Sequence, residues 1–485
     1  MGTMVVAVDK NGENVVPKVV LMLKELTHRG ADAHGVATPN SVRMAKIIEE
    51  IPIENISSSV ALGHNLSRTV SKDHPQPVLG DDFALVFEGR LFPSSNLSEV
   101  NQVLKRLDGN LWKNAEDILT RLDGSYVFAI AQSKKAIAGR DSLGANPLYY
   151  GENETVCAVA SERKALWTLG IKNVRSFPPG NLAVINAHGF AFHPIKTVTQ
   201  PPIEHVELEM AAKRLQELLS ESTKERVSNL ENVAIAFSGG LDSSVIAALA
   251  KTCGTEVRLV SVGLKDQPEI LHVKAAAEAL KLPLHLQTYR LNDVKRVLPN
   301  VLWLIEEPNV VKASIAIPFY WIAEVASKLG CKVLLAGQGS DELFGGYQRY
   351  LRIYSQSGTA AVRDAMYQDV TLTYETNLQR DNQVCSFHGV ELRLPFLDRE
   401  VIYFSLSLPV SLKIECAENS LRKKVLRRAA QNLSIPTFIA NRPKKAIQYE
   451  TGVDKALRKL AREEGLSLRE YVKKEFRKVY PNGGA

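Results

Sequence analysis

The 485-residue chain has only five cysteines, Cys157, Cys253, Cys331, Cys385 and Cys416, an odd number with no C-x-x-C pair. That spacing argues against both a disulfide framework and a zinc cage, and it predicts reduced thiols in or near cores. No apolar run approaches the roughly 18 residues that span a bilayer. Met1 to Val8 carries no basic stretch ahead of its short apolar run, so a secretory leader is not expected. There is no internal repeat and no low-complexity tract. With 45% hydrophobic and 23% charged residues, long disorder and coiled coil are excluded as well. What remains is a globular protein of two or three domains, expected in the cytoplasm without membrane contact.

The formal charge of +7 is modest for this length but unevenly placed. Leu421 to Ala485 holds 17 Lys and Arg against 6 Asp and Glu, so the rest of the chain is slightly acidic. A basic C-terminal segment can hold phosphates or RNA, or simply face water.

Up to about Ile195 the chain reads as short strands between turns, with two helical stretches. Met4 to Val8, Phe83 to Phe87, Tyr126 to Ala131 and Leu182 to Ile185 have strand length and strand composition. Val16 to Leu26 repeats its apolar residues at helical spacing, giving a layered α+β domain over 1–195. Residues 196–205, with Pro201-Pro202, read as a linker. Over 206–480 strands alternate with longer helices. Strands are expected at Val233 to Phe237, Val257 to Val262, Leu284 to Thr288 and Lys332 to Ala336, in a doubly wound parallel sheet followed by a helical cap. Ligands of such sheets bind beyond the strands' carboxyl ends.

The first strand of that sheet runs into Ser238-Gly239-Gly240-Leu241-Asp242-Ser243-Ser244 and then a helix. Adjacent glycines let successive N–H groups point into one concavity, and the helix start adds positive potential, so the loop suits an anion. Asp242 would repel a phosphate unless a divalent cation bridges them, which points to Mg2+. The loop lacks the Gly-Lys-Ser/Thr ending of a Walker loop. It resembles the loop of the ATP pyrophosphatase family, whose members split ATP between the α and β phosphates. A second glycine-rich turn, Gly337-Gln338-Gly339-Ser340-Asp341-Glu342, follows the fourth strand, and Asp242 and Asp341 are expected to share one Mg2+ with pyrophosphate.

With Glu391-Leu392-Arg393-Leu394-Pro395-Phe396-Leu397-Asp398 and Arg442-Pro443-Lys444-Lys445-Ala446, residues 206 to 450 resemble the synthetase domain of asparagine synthetases and their lactam-forming relatives. The resemblance implies that Lys444 stabilises charge on the acyl-adenylate, with Lys445 as the alternative, and that Val262 lies against adenine. His28-Arg29-Gly30-Ala31-Asp32, Gly139-Arg140-Asp141-Ser142-Leu143-Gly144 and Ala160-Ser161-Glu162-Arg163-Lys164-Ala165-Leu166 are similar to the class II glutamine amidotransferase domain, an α-β-β-α sandwich of the N-terminal nucleophile hydrolase type.

The chain departs from that pattern where chemistry is expected. The place of the nucleophilic cysteine holds Gly2, and Thr3 could serve only after trimming. The family's Asn-Gly-Glu-Ile-Tyr-Asn segment reads Glu88-Gly89-Arg90-Leu91-Phe92-Pro93, and Asn65 stands near the place of the glutamine-gripping arginine. In the synthetase half, Gln338 occupies the position of a glutamate or tyrosine that helps deprotonate the amine, and a glutamine cannot act as a base. Glu342 or a substrate carboxylate could take that proton instead. Arg380-Asp381-Asn382 and Lys445-Ala446-Ile447-Gln448-Tyr449 are similar to the asparagine synthetase domain-containing branch. The expectation is an ATP- and Mg2+-dependent amidoligase acting on a small carboxylate and an amine donor, without glutaminase activity. An RNA-modifying enzyme and a non-catalytic interaction protein are the alternatives, and a homodimer is compatible with the sequence.

Overall fold

The computed structural model describes residues 2–416 and 421–481. The chain forms two compact units, one of Met1–Val198, Leu378–Gly389 and Tyr480–Ala485, the other of Thr199–Asn377 and Val390–Val479.

In the first unit the elements run β1 (Thr3–Asp9), α1 (Val16–Glu25), β2 (Ala33–Thr38), β3 (Ser41–Ala45), β4 (Val60–Leu66), β5 (Val78–Leu79), β6 (Ala84–Phe92), α2 (Glu99–Leu104), α3 (Leu111–Arg121) and β7 (Asp123–Gln132). They continue with β8 (Lys135–Arg140), β9 (Tyr149–Glu152), β10 (Val156–Ala160), α4 (Arg163–Trp167), β11 (Arg175–Ser176), β12 (Asn181–Asn186) and β13 (Gly189–Pro194). One sheet has the order β11-β9-β10-β1-β4-β2-β3 and the other β13-β12-β8-β7-β6-β5. Alternate residues of β1 face opposite sides of its sheet, and both sides are covered, which explains why Met4 to Val8 are all apolar. Met4, Val6 and Val8 enter the core between the sheets, with Val86, Val127 and Val159. Val5 and Ala7 point the other way, onto Val16, Val19 and Leu23 of α1. On the far side, Val103, Ala115 and Ile118 of α2 and α3 cover Leu85, Phe87 and Phe128. The result is the expected α-β-β-α sandwich, with more helices than the two stretches legible in sequence. Of those, α2 and α4 are only six and five residues long.

The second unit begins with α5 (Leu208–Val227), then β14 (Asn232–Ala236), α6 (Leu241–Lys251), β15 (Glu256–Leu264), α7 (Glu269–Leu280), β16 (Leu284–Tyr289), α8 (Leu291–Ile305), α9 (Val310–Lys328), β17 (Val333–Leu335) and α10 (Ser340–Phe344). After α11 (Gln348–Thr373) comes α12 (Gln379–Ser386), which groups with the first unit. Then follow β18 (Glu391–Arg393), α13 (Arg399–Ser407), α14 (Lys424–Asn432), α15 (Thr437–Ala440), α16 (Ile447–Glu450), α17 (Val453–Glu463) and α18 (Leu468–Val479). The sheet order is β16-β15-β14-β17-β18, with every pairing parallel. The chain builds outward from β14 to β16 and then returns to the other side of β14. The carboxyl ends of β14 and β17 therefore flank the point where strand order reverses, which is where such sheets open a ligand crevice.

Among the described residues, α9 is the one helix long and apolar enough to cross a membrane, and most of that apolar stretch is buried in the protein. Its Lys312 and Glu324 kept it from reading as an uninterrupted apolar run.

Candidate functional site

The loop after β14 is shaped by its glycines. Gly239 has φ +68°, and a Cβ there would press on the His272 ring at 3.0 Å and the Val273 Cα at 3.3 Å. The serines divide their roles. The Ser243 hydroxyl donates to the Gly240 carbonyl at 3.3 Å and accepts from Ser238 N–H at 3.3 Å, bracing the loop from inside. Ser238 Oγ accepts from Gly240 N–H at 3.2 Å. Ser244 is fully buried, so its hydroxyl does not reach the loop's open face. Leu241 is buried in the first turn of α6, and Val262 is buried near the end of β15.

The two glycine-rich turns meet. A Cβ on Gly337 would stand 2.9 Å from Cβ of Asp242, so only glycine lets the turn after β17 approach α6 this closely. Ser340 Oγ then donates to Asp242 Oδ1 at 2.8 Å. The Asp242 and Asp341 carboxylates converge on a single atom, Nζ of Lys423, at 2.7 and 2.6 Å. Lys444 Nζ lies 2.7 Å from the other oxygen of Asp341. Burial alone would raise the Asp341 pKa, but Lys423 and Lys444 overcome it and hold the carboxyl well below its ordinary range. Burial opposes the Lys444 ammonium, and Asp341 with Asp242 keeps its pKa well above the usual lysine value. Gly346 closes the arrangement: a Cβ there would fall 1.9 Å from Asp341 Oδ1 and 2.5 Å from Cε of Lys423.

Lys423 is the residue that sequence reasoning missed. It is buried, takes φ +64° just before α14, and comes from 181 residues beyond Asp242. Its signal was present only as one lysine within a basic run. Much of that run in fact turns inward. Arg422 Nε donates to the Gly346 carbonyl at 2.9 Å, Arg442 Nη1 donates to the Ser238 carbonyl at 2.9 Å, and Arg427 is buried. On α17 and α18, Arg458, Lys474 and Lys478 pair with Asp454, Glu464 and Glu475.

The remaining expected residues are placed less centrally. Lys445 is half-exposed and pairs with Glu269 on α7, away from the two aspartates. Gln338 is half-buried in the turn between β17 and α10, beside Gly337 and Gly339. Glu342 is not available as a free base: it is buried, and its Oε1 accepts from Tyr347 Oη at 2.6 Å and from Asn377 Nδ2 at 2.9 Å. Burial and the neighbouring Asp341 push its pKa up.

In the first unit, Gly2 N–H donates to Glu88 Oε1 at 2.8 Å, and Glu88 Oε2 pairs with His64 Nε2 at 3.0 Å. Burial favours the neutral acid, but the His64 bond prevails and the Glu88 pKa is lowered. Arg90 is gripped by Asp73, with Nη2 donating to Oδ2 at 2.8 Å, and its Nη1 stands 3.4 Å from Glu99. Glu88, Arg90, Asp73 and Glu99 line one small open cleft together with His74, Gln76 and Ser98. Asn65 is committed elsewhere, donating to the Leu23 carbonyl of α1 at 2.9 Å and bonding His34 at 2.7 Å. Thr3 pairs in register with Asn65, and the next pair along the two strands is Met4 with His64. Alternation of a strand's faces therefore puts Thr3 on the opposite side of the sheet from His64.

Comparison with known proteins identifies the family. The asparagine synthase family model matches residues 214–363 and 354–478, and a glutamine amidotransferase domain model matches residues 64–168. A Methanocaldococcus jannaschii protein bearing the name asparagine synthetase (glutamine-hydrolysing) 1 is 32% identical over 92% of this chain and 93% of its own. Asparagine synthetase B of Escherichia coli is 24% identical over 90% of this chain and 79% of its own. A Schizosaccharomyces pombe asparagine synthetase is 25% identical over 85% of this chain and 76% of its own. These matches define the class of protein, an ATP-dependent carbon–nitrogen ligase. The chain belongs to the asparagine synthetase family.

Proposed function

We propose that the protein adenylates a small carboxylic acid, aspartate or a close relative, at the expense of ATP and then transfers the acyl group to ammonia or another amine. The observation that carries this reading is the convergence of Asp242, Asp341, Lys423 and Lys444 at the carboxyl ends of β14 and β17.

The open face of the Ser238–Gly240 loop and the start of α6 receive the phosphates of ATP. As the substrate carboxylate attacks the α-phosphorus, negative charge gathers on the pentavalent centre and on the departing pyrophosphate. Lys444 and Lys423 are cations already held in place, so they stabilise that charge without reorganising. The amine then attacks the acyl carbon and AMP leaves. No side-chain base is supplied by Gln338, and Glu342 is tied to Tyr347 and Asn377. The amine therefore enters neutral, and the proton it sheds as the amide forms passes to a substrate oxygen or to water.

The carboxylate pair suits Mg2+. Asp242 and Asp341 already converge on one cationic atom, and a hard divalent ion takes one or two carboxylates plus substrate phosphates. When bound, the ion would neutralise charge on the pyrophosphate.

The sandwich unit is read as lacking glutaminase activity. Gly2 offers no nucleophile, its backbone N–H is taken by Glu88, which also pairs with His64, and the Arg90 guanidinium is paired with Asp73. Pyrophosphate exchange into ATP across a panel of carboxylates tests the first half-reaction. Glutamate release from glutamine tests the absent one.

A further inference from the structure

Lys444 sits in residues 441–446, a stretch that belongs to no helix or strand. Side chains must therefore fix the position of its ammonium. Arg442 bridges two anchors: Nη1 donates to the Ser238 carbonyl of the phosphate loop at 2.9 Å, and Nη2 lies 3.4 Å from Oε1 of Glu450 at the end of α16. The corner beyond Glu450 is itself held to the sheet, because Leu264 N–H, at the end of β15, donates to the Thr451 carbonyl at 2.8 Å. A second tie, Lys445 to Glu269, holds the loop to α7. Both side chains of the Arg442–Glu450 pair are mostly buried, so losing one partner leaves the other uncompensated.

We propose that Glu450 is a positioning residue which, acting through Arg442, latches the Lys444 loop to the phosphate loop and so holds the Lys444 ammonium beside Asp341. This rests on reading the site as an adenylation centre. It assigns a role to a carboxylate that makes no contact with the Asp242–Lys423–Asp341 cluster.

The groups facing Glu450 are Arg442, Lys444 and Lys445, which favour its ionised form, and Glu269, which opposes it. Burial is the largest influence and pushes its carboxyl up to about 6. Above that pH the latch is a charged pair. Below it the carboxyl is neutral and Arg442 keeps only the Ser238 carbonyl. Loop order should then fall on the acid side through a residue that touches no substrate.

The test uses the full chain without ligands. Hydrogen–deuterium exchange of the peptide spanning residues 438–452 is followed from pH 5 to 8 with intrinsic rates corrected, in wild type, Glu450→Gln and Glu450→Asp, with folding checked by circular dichroism. Wild-type protection should drop about tenfold across a midpoint near 6, as local opening becomes easier. Glu450→Gln should show the low-pH behaviour at every pH, and Glu450→Asp should recover part of the protection. In pyrophosphate exchange, Glu450→Gln should lower kcat about tenfold with KM for ATP nearly unchanged, the signature of a misplaced catalytic cation. Identical loop exchange in wild type and Glu450→Gln at all pH values overturns the latch. A pH-dependent latch in a protein that exchanges no pyrophosphate supports the latch and instead overturns the adenylation reading.

Discussion

A Cβ placed on Gly2 would lie 1.8 Å from the carbonyl oxygen of Asn65 on the neighbouring strand. No real side chain tolerates that approach, so the backbone itself has closed over the place where a glutaminase would carry its nucleophile. Gly2→Cys should therefore yield no glutamate from glutamine, and Gly2→Ala should destabilise the protein by about 1–3 kcal/mol through overpacking. A glutaminase assay and urea unfolding check the two. Glutamate release by Gly2→Cys above a heat-killed control would contradict this account.

Lys423 neutralises two carboxylates that would otherwise face each other. Lys423→Met should cost about 3 kcal/mol, near the lower end for a broken buried pair, because Lys444 still serves Asp341. Pyrophosphate exchange should fall at least about 10²-fold, since a fixed cation is lost from the reacting centre. Millimolar Mg2+ should raise the melting temperature of Lys423→Met more than that of wild type. Gly346→Ala should lose activity for a related reason, its methyl group entering the space of Asp341 Oδ1. Equal Mg2+ responses in Lys423→Met and wild type would argue against the carboxylate pair as a cation site.

On the proposed reading, Gln338 leaves the amine without a side-chain base. With ammonia as donor, the rate should rise about tenfold per pH unit below the ammonium pKa, following the neutral fraction. Gln338→Glu should flatten that limb, because a positioned general base contributes about 10²-fold or more. An unchanged pH profile would place Gln338 outside the reacting centre.

Lys413 is buried after α13, and burial with the nearby Arg363 charge lowers its pKa to about 7. Between pH 7 and the usual lysine value the unfolded chain holds a proton that the folded chain has released, so this group makes stability rise with pH there. Below pH 7 both states are protonated and the full penalty remains. Lys413→Met should gain about 2–4 kcal/mol at neutral pH, with the gain shrinking toward pH 10. Chemical denaturation at pH 6.5 and pH 10 measures both ends; a gain that grows with pH would contradict the assignment.

The glycine turn between β14 and α6 was legible because two glycines follow a buried strand, and the sheet because strand and helix periods alternate. Lys423 was not, since its partners lie far away in sequence and a lysine in a basic run looks like a solvated one. The helix α12 misleads in the other direction. Its sequence, Gln-Arg-Asp-Asn-Gln-Val-Cys-Ser, reads as a water-facing surface, yet every residue is buried. The polar side chains satisfy one another instead: Arg380 pairs with Asp381, Arg29 Nη2 donates to Asn382 Oδ1 at 2.8 Å, and Tyr149 Oη donates to Gln379 Oε1 at 3.0 Å. Hydropathy cannot reveal such burial, because the compensation is in tertiary hydrogen bonds. Lys445 shows the limit of motif reading: it adjoins Lys444 in the sequence but turns to Glu269.

The most direct test is a 31P NMR spectrum of ATP consumed by the full chain with Mg2+ and a panel of small carboxylates, once with ammonium and once with glutamine as donor. The account predicts AMP and pyrophosphate in equal amounts with ammonium, and no amide product with glutamine. ADP with inorganic phosphate, or equal turnover on glutamine, would contradict it.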